Sequence, residues 1–108
     1  MKIYRYGIYL ADLNPTQGAE MSKVRPVVVV SLDEMNAALE TVVVCPLTTQ
    51  LHPRWRSRLQ IRCAGKPAEV AVDQIRALSR WRLRKRVDSL STQAALQLRQ
   101  LITEMYGE

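Results

Sequence analysis

Four consecutive valines, Val27–Val30, follow Arg25-Pro26 and precede Ser31. β-branched side chains are stiff in a helix and pack well on a pleated surface, so this short run is a strand. Neighbouring residues of a strand point to opposite faces, and an unbroken apolar run therefore buries both. Any fold open to this chain must cover one strand on two sides. A second run of the same kind is Thr41-Val-Val-Val-Cys-Pro-Leu47. A third apolar stretch, Ile8–Leu13, stops at Asn14-Pro15. Residues 14–24 hold Gly18 but no hydrophobic periodicity and are expected to form a loop. Asp33 to Leu39 is short enough for a single helical turn or two.

Further along, Arg58-Leu-Gln-Ile-Arg62 alternates with period two, as a strand with one wet face does. Gly65-Lys66-Pro67 predicts a turn, and Glu69–Val72, continued to Ile75, a fifth strand. The C-terminal segment changes period. Ala95, Leu98, Leu101, Ile102 and Met105 recur every three or four residues, the apolar stripe of a helix. Ser91 suits its N-cap and Gly107 its end. These elements predict a single domain over residues 1–108, mainly β with α: short antiparallel strands in a small barrel, closed by a C-terminal α-helix. A chain of 108 residues buries about two thirds of its unfolded surface, so a second copy would add useful burial.

The formal net charge is +6, and eleven of the sixteen Lys and Arg residues lie between His52 and Arg86. Only Glu69 and Asp73 oppose them in that segment. Such a basic surface points to polyanions, acidic proteins or anionic membranes as partners. No apolar run is long enough to span a bilayer and the N-terminus has no signal-peptide character, so a cytoplasmic protein is expected. Cys45 and Cys63 are too few for a disulfide scaffold and are expected to be buried, reduced thiols. His52 is the only histidine, which excludes a two-histidine ribonuclease arrangement. No metal site and no cofactor is expected from these donors.

Phosphodiester chemistry without a metal needs a fixed cation and hydrogen-bond donors aimed at the phosphorane oxygens. An arginine fork matches phosphate oxygens, and a threonine hydroxyl at a strand end can donate to them. Arg25 stands at the mouth of the valine strand and Thr48 just beyond the end of the next. Antiparallel pairing of the two strands would put both at one edge of the sheet. On residue order alone, the ordinary reading is a solvated arginine and a turn threonine.

Three blocks add to that reading. Asp12-Leu-Asn-Pro-Thr-Gln-Gly-Ala-Glu20 with Arg25-Pro-Val-Val-Val-Val-Ser31, then Val42-Val-Val-Cys-Pro-Leu-Thr48, then Val72-Asp-Gln-Ile-Arg76, together resemble the MazF/PemK toxins over nearly the whole chain. The resemblance implies a compact SH3-like, plasmid-toxin barrel, active as a homodimer. It implies a toxin of a type II toxin–antitoxin system, an endoribonuclease that cuts single-stranded mRNA without a metal. Arg25 and Thr48 fall on the family's catalytic pair. Glu20 and Gln74 match substrate-contacting positions, and Gln17, Gln50, Arg54 and Trp55 join them as expected RNA-binding residues. A cognate acidic, MazE-like antitoxin is expected to occupy the RNA groove. One departure stands out: Arg5-Tyr6-Gly7 replaces the family's Arg-Gly-Asp.

Two alternatives share the fold class: a CcdB-like toxin that poisons gyrase by protein contact, and a nucleic-acid-binding module without catalysis. The chain ends Met-Tyr-Gly-Glu, with an acid where the gyrase poisons carry an apolar residue. Trp55 suits stacking on RNA bases or a protein interface equally; Trp81 suits packing or a dimer contact. The run Arg80–Arg86 divides between a solvated face and a binding surface. His52 is one candidate to accept the proton of a 2′-hydroxyl, and a loop histidine beside Pro53 is the plainer reading.

Overall fold

The computed structural model describes residues 1–13 and 24–107. Seven strands run in the order β1 (Gly7–Asp12), β2 (Val24–Val29), β3 (Thr41–Thr48), β4 (Arg58–Cys63), β5 (Lys66–Ala71), β6 (Arg76–Ser79) and β7 (Leu83–Ser89). Helix α1 (Asp33–Ala38) lies between β2 and β3, and α2 (Thr92–Tyr106) follows β7. All strand pairs are antiparallel, in the spatial order β4-β5-β3-β2-β1-β7, with β6 also paired to β3. The result is a curled, mainly β domain with a C-terminal helix, as expected. No helix among the described residues is long and apolar enough to cross a membrane.

The valine strand is buried on both faces. Val27 and Val29 pack into one core with Tyr9, Ala11, Val42, Val44 and Leu78. Val28 and Val30 enter a second core with Ile8, Cys45, Leu47, Val70 and Leu98. Just beyond, Ser31 and Asn36 form a buried polar knot. The Ser31 hydroxyl donates to Asn36 Oδ1 at 2.5 Å, Asn36 Nδ2 donates to the Ser31 carbonyl at 3.0 Å, and the Val43 N–H donates to Ser31 Oγ at 3.0 Å. Every buried polar group of the knot has a partner, which buried polar groups require.

β3 carries the curl. Its first half pairs with β6 through Val44, its end pairs with β5 from Leu47, and β2 lies along the other side. The switch falls at Cys45-Pro46, where the proline has no N–H to donate to a ladder. The expected fifth strand is shorter at its far end than its apolar run. β5 stops at Ala71, a 3₁₀ turn takes up Val72–Gln74, and β6 starts anew at Arg76. The predicted turn at Gly65-Lys66-Pro67 is narrower: Ala64 and Gly65 hold φ of 51° and 81°, and Lys66 and Pro67 already belong to β5. Two adjacent positive φ values match the twist of a tight hairpin.

The Arg80–Arg86 run is neither all loop nor one free face. Arg80–Arg82 make a 3₁₀ turn and the rest begins β7. The Arg80 guanidinium donates to the Asn36 carbonyl at 2.8 Å, and Arg82 to the Asp12 carbonyl at 3.2 Å. Trp81 is not packed within the chain; it is 75% exposed and donates its indole N–H to Glu40 at 3.0 Å. The Tyr6-Gly7 departure also has a local account. Tyr6 is left-handed (φ 67°), and a Cβ on Gly7 would lie 2.7 Å from the Tyr9 ring. Both cysteines are free thiols, but Cys63 is only half-buried, on a strand with one wet face. Burial pushes the Cys45 thiol up to about 12.

α2 starts where expected, with Ser91 Oγ accepting the Ala94 N–H at 3.1 Å. It ends at Gly107, though not through a left-handed glycine (φ −83°): a Cβ there would lie 2.8 Å from the Thr103 carbonyl oxygen. Leu98 is the fully buried side chain of this helix and docks it on the second core. Leu98→Ala should therefore lower stability by about 2–5 kcal/mol, from lost transfer energy and a residual cavity. Urea denaturation should show a lower midpoint with an unchanged slope.

Candidate functional site

β2 and β3 pair with Val27 opposite Pro46. Continued by two residues, that register sets Arg25 opposite Thr48, as the sequence reading expected. Both residues line a polar cavity of about 390 Å³. Gln50, His52, Gln74 and Arg76 line it too. Arg25 and Thr48 also border an apolar recess of about 420 Å³ on their other side, walled by Leu10, Pro26, Cys63, Pro67 and Val87.

Thr48 is held by the chain that follows it. Its Oγ1 accepts the Gln50 N–H at 3.1 Å. A hydroxyl accepting one bond keeps its own hydrogen to donate. Gln74 reaches the cavity because the 3₁₀ turn at Val72–Gln74 bends the chain there. That turn is tied to α2, since the Tyr106 hydroxyl donates to the Val72 carbonyl at 2.9 Å. Arg56 pairs with Glu104 on the same helix.

Arg54 and Trp55 line neither cavity. Trp55 stacks on His52, with centroids 3.9 Å apart and planes 10° from parallel, and the Arg58 guanidinium lies 4.6 Å from its ring centre. It remains 49% exposed. Gln17 and Glu20 lie outside the described residues, as does most of the loop expected over 14–24.

The sequence reading missed the group beneath the cavity. Glu69 is 0% exposed. Its carboxylate accepts the His52 backbone N–H at 2.6 Å, the Gln60 side-chain amide at 2.6 Å, and Arg58 Nη1 at 2.6 Å. The Arg58 side chain, 6% exposed and lining the cavity, also donates from Nε to Asp73 Oδ1 at 2.9 Å. Burial alone would push the Glu69 carboxyl up. The bonds from Gln60, His52 and Arg58 together outweigh it and hold the group below the usual carboxylate range. Asp73 is likewise raised by burial and lowered, on balance, by Arg58, Ser57 and its own backbone. The one available sequence signal was a lone Glu in an apolar strand, with an Arg and a Gln at alternate positions of the preceding one.

Arg58 is thus neutralised by two carboxylates. Arg25 and Arg76 form no ion pair among the described residues, which leaves their charge to face the cavity. Among those residues no three His, Cys, Asp or Glu side chains come together in a metal-ligating group. The arrangement lines a cavity of about 390 Å³ with cations and with hydroxyl and amide donors, the groups a phosphate would need.

Comparison with known proteins bears on the fold and the family. A family model, the PemK-like, MazF-like toxin of type II toxin–antitoxin systems, matches residues 4–106. Among solved structures, the MazE–MazF complex (Form-III) from Deinococcus radiodurans contains a chain that superposes with a TM-score of 0.85, at 17% identity over 99% of this chain and 98% of that one. The Mycobacterium tuberculosis toxin MazF-mt6 gives 0.76 at 20% identity, over 91% and 93%. An endoribonuclease in complex with its cognate antitoxin from a mycobacterial species gives 0.82 at 18%, over 97% and 95%.

The buried Glu69 carboxylate gives a stability prediction. A depressed carboxyl stabilises the fold above its ordinary value, 4.5 for Glu69, and that stability is lost as pH falls through the lower folded value. Removing one partner of a buried pair costs about 3–5 kcal/mol; Glu69→Gln should fall at the lower end, because Arg58 keeps Asp73. Between about pH 5 and pH 3 the variant's denaturation midpoint should also change less than the parent's. Parallel slopes for the two proteins would show that Glu69 is not the titrating group.

Proposed function

Because the chain belongs to the family of PemK-like, MazF-like toxins of type II toxin–antitoxin systems, we propose that it arrests growth by cutting single-stranded mRNA at Arg25 and Thr48. The observation that carries this reading is the antiparallel register that sets a cation free of ion pairs among the described residues opposite a donating hydroxyl, at the rim of a polar cleft.

In this reaction the 2′-oxygen of one nucleotide bonds to the adjacent phosphorus, and the bond from phosphorus to the 5′-oxygen breaks. The 2′-hydroxyl proton passes to a base, and the leaving 5′-oxygen takes one up. The products are a 5′-hydroxyl and a 2′,3′-cyclic phosphate, which can open to a 3′-phosphate. Arg25 holds and neutralises the non-bridging oxygens as charge builds on them. Thr48 donates to the same oxygens and positions the phosphate. Arginine stays charged, which makes it a poor base. His52 brings an imidazole to the cavity wall and is one candidate to accept the proton. Gln50 and Gln74 offer donors and acceptors to base edges, Glu20 adds acceptors, and Gln17, Arg54 and Trp55 extend the RNA surface. Reading those edges requires unpaired bases.

The working form is a cytoplasmic homodimer with one groove for RNA and for the acidic segment of its antitoxin. Solved relatives include toxin–antitoxin complexes of this fold. The basic segment from His52 to Arg86 can follow either polyanion, so the two should compete.

Purified protein should cut a long unstructured RNA in EDTA at short recurrent sequences, leaving 5′-hydroxyl ends. Activity that disappears in EDTA and returns with magnesium would sink the proposed chemistry. Arg25→Ala and Thr48→Ala should each lose about 10²–10³ in rate, the cost of one oxyanion stabiliser, while remaining folded. The arginine change should be the more severe. If both folded variants cut like the parent, the site lies elsewhere.

A further inference from the structure

We infer that Glu69 is a positioning residue for RNA binding, holding the 49–57 segment and Arg58 against the cleft from beneath. The inference rests on the RNA-cutting reading above, but its geometry stands apart from that reading. Thr48 and Glu69 are direct cross-strand partners between β3 and β5, and Glu69 and Gln60 are partners between β5 and β4. With Arg25 opposite Thr48, four strands set Arg25, Thr48, Glu69 and Gln60 in one row. Cross-strand partners project to the same face. The two outer members of that row, Arg25 and Gln60, are exposed, whereas Glu69 is wholly buried.

A buried carboxylate on a strand paired on both sides needs a reason, because an apolar residue would fill the place without desolvating a charge. Glu69 spends its acceptors on groups that shape the cleft wall. One is the His52 backbone N–H, in the middle of a segment that has no strand or helix of its own. Another is Arg58, whose guanidinium then reaches Asp73, next to Gln74, and lies against the Trp55 ring. A single carboxylate thus ties the segment carrying Gln50, His52, Arg54 and Trp55 to the sheet row that carries Arg25 and Thr48. Without it, the segment keeps its internal Trp55-to-His52 and Arg58-to-Trp55 backbone bonds, and outside ties remain: the Gln50 N–H to Thr48 Oγ1, the Val72 N–H to the Ser57 carbonyl, and exposed Arg56 to Glu104. Those ties hold the two ends of the segment and its surface, whereas Glu69 takes the backbone of its middle, at His52.

Two variants test this: Glu69→Gln, and the double change Arg58→Met with Glu69→Leu. The double variant removes both buried charges, a replacement that often leaves stability intact. Its thermal midpoint separates positioning from folding. Trypsin supplies a readout that needs no activity, because Arg54 and Arg56 are exposed within the segment. In folded variants, nicking after these two arginines should speed up several-fold over the intact parent. With a defined RNA, KM should rise about tenfold, equivalent to one charge-assisted contact, while kcat stays within about threefold. Parental nicking rate and KM in the folded double variant would overturn the assignment. So would a fall in kcat alone, which would place Glu69's influence on Arg25 and Thr48 instead. A parent protein that cuts no RNA would refute the proposed function, whereas the nicking rates would still decide whether Glu69 holds the segment.

Discussion

The site depends on the register between β2 and β3, and that register depends on burying a strand twice. A strand with one wet face can slip by two residues at modest cost. Val27–Val30 cannot, because alternate valines enter two different cores. A slip by one would exchange those cores, and a slip by two would move Pro46 out of its place opposite Val27. The position of Arg25 relative to Thr48 is therefore set by apolar packing several residues away. Neither side chain has to contribute stability, and both remain available for chemistry.

What the sequence disclosed follows from how local each signal is. The valine runs, the period-two stretch at Arg58–Arg62 and the stripe of α2 are short-range patterns, and the elements appear where those patterns lie. The Arg25–Thr48 pairing was legible because it needs only two strands and one turn of direction. β7 was not. Its sequence Leu-Arg-Lys-Arg-Val-Asp-Ser buries only Leu83 deeply, and its register with β1 shifts twice, so no alternation survives in the residues. The break at Val72–Gln74 was hidden by the apolar residues on either side. Glu69 was the largest omission. Its meaning lies in partners 9, 11 and 17 residues away, and only the sheet brings those together.

The arginines divide by environment rather than by type. Arg58 is buried against two carboxylates and serves as a strut. Arg80 and Arg82 cap backbone carbonyls, and Arg56 reaches Glu104 on α2. Arg25 and Arg76 keep an unopposed charge at the cleft, among the described residues. A net charge of +6 thus overstates how much positive surface a polyanion would meet, and understates how tightly it is gathered. In the proposed reaction, long-range attraction would come from the whole basic segment, while orientation at the phosphate would fall to a few side chains.

The pair formed by Arg58 and Glu69 also constrains how such a protein can change over generations. Replacing Arg58 alone strands the Glu69 charge in the interior, and replacing Glu69 alone leaves Arg58 with Asp73 only; either is a larger loss than replacing both. Drift at these two positions is therefore not a walk of independent steps. A lineage can keep the pair or exchange it whole, but the single-substitution intermediates are penalised in stability before any question of activity arises. The ion pair acts as a ratchet, and the segment above it inherits that permanence while its own exposed residues stay free to vary.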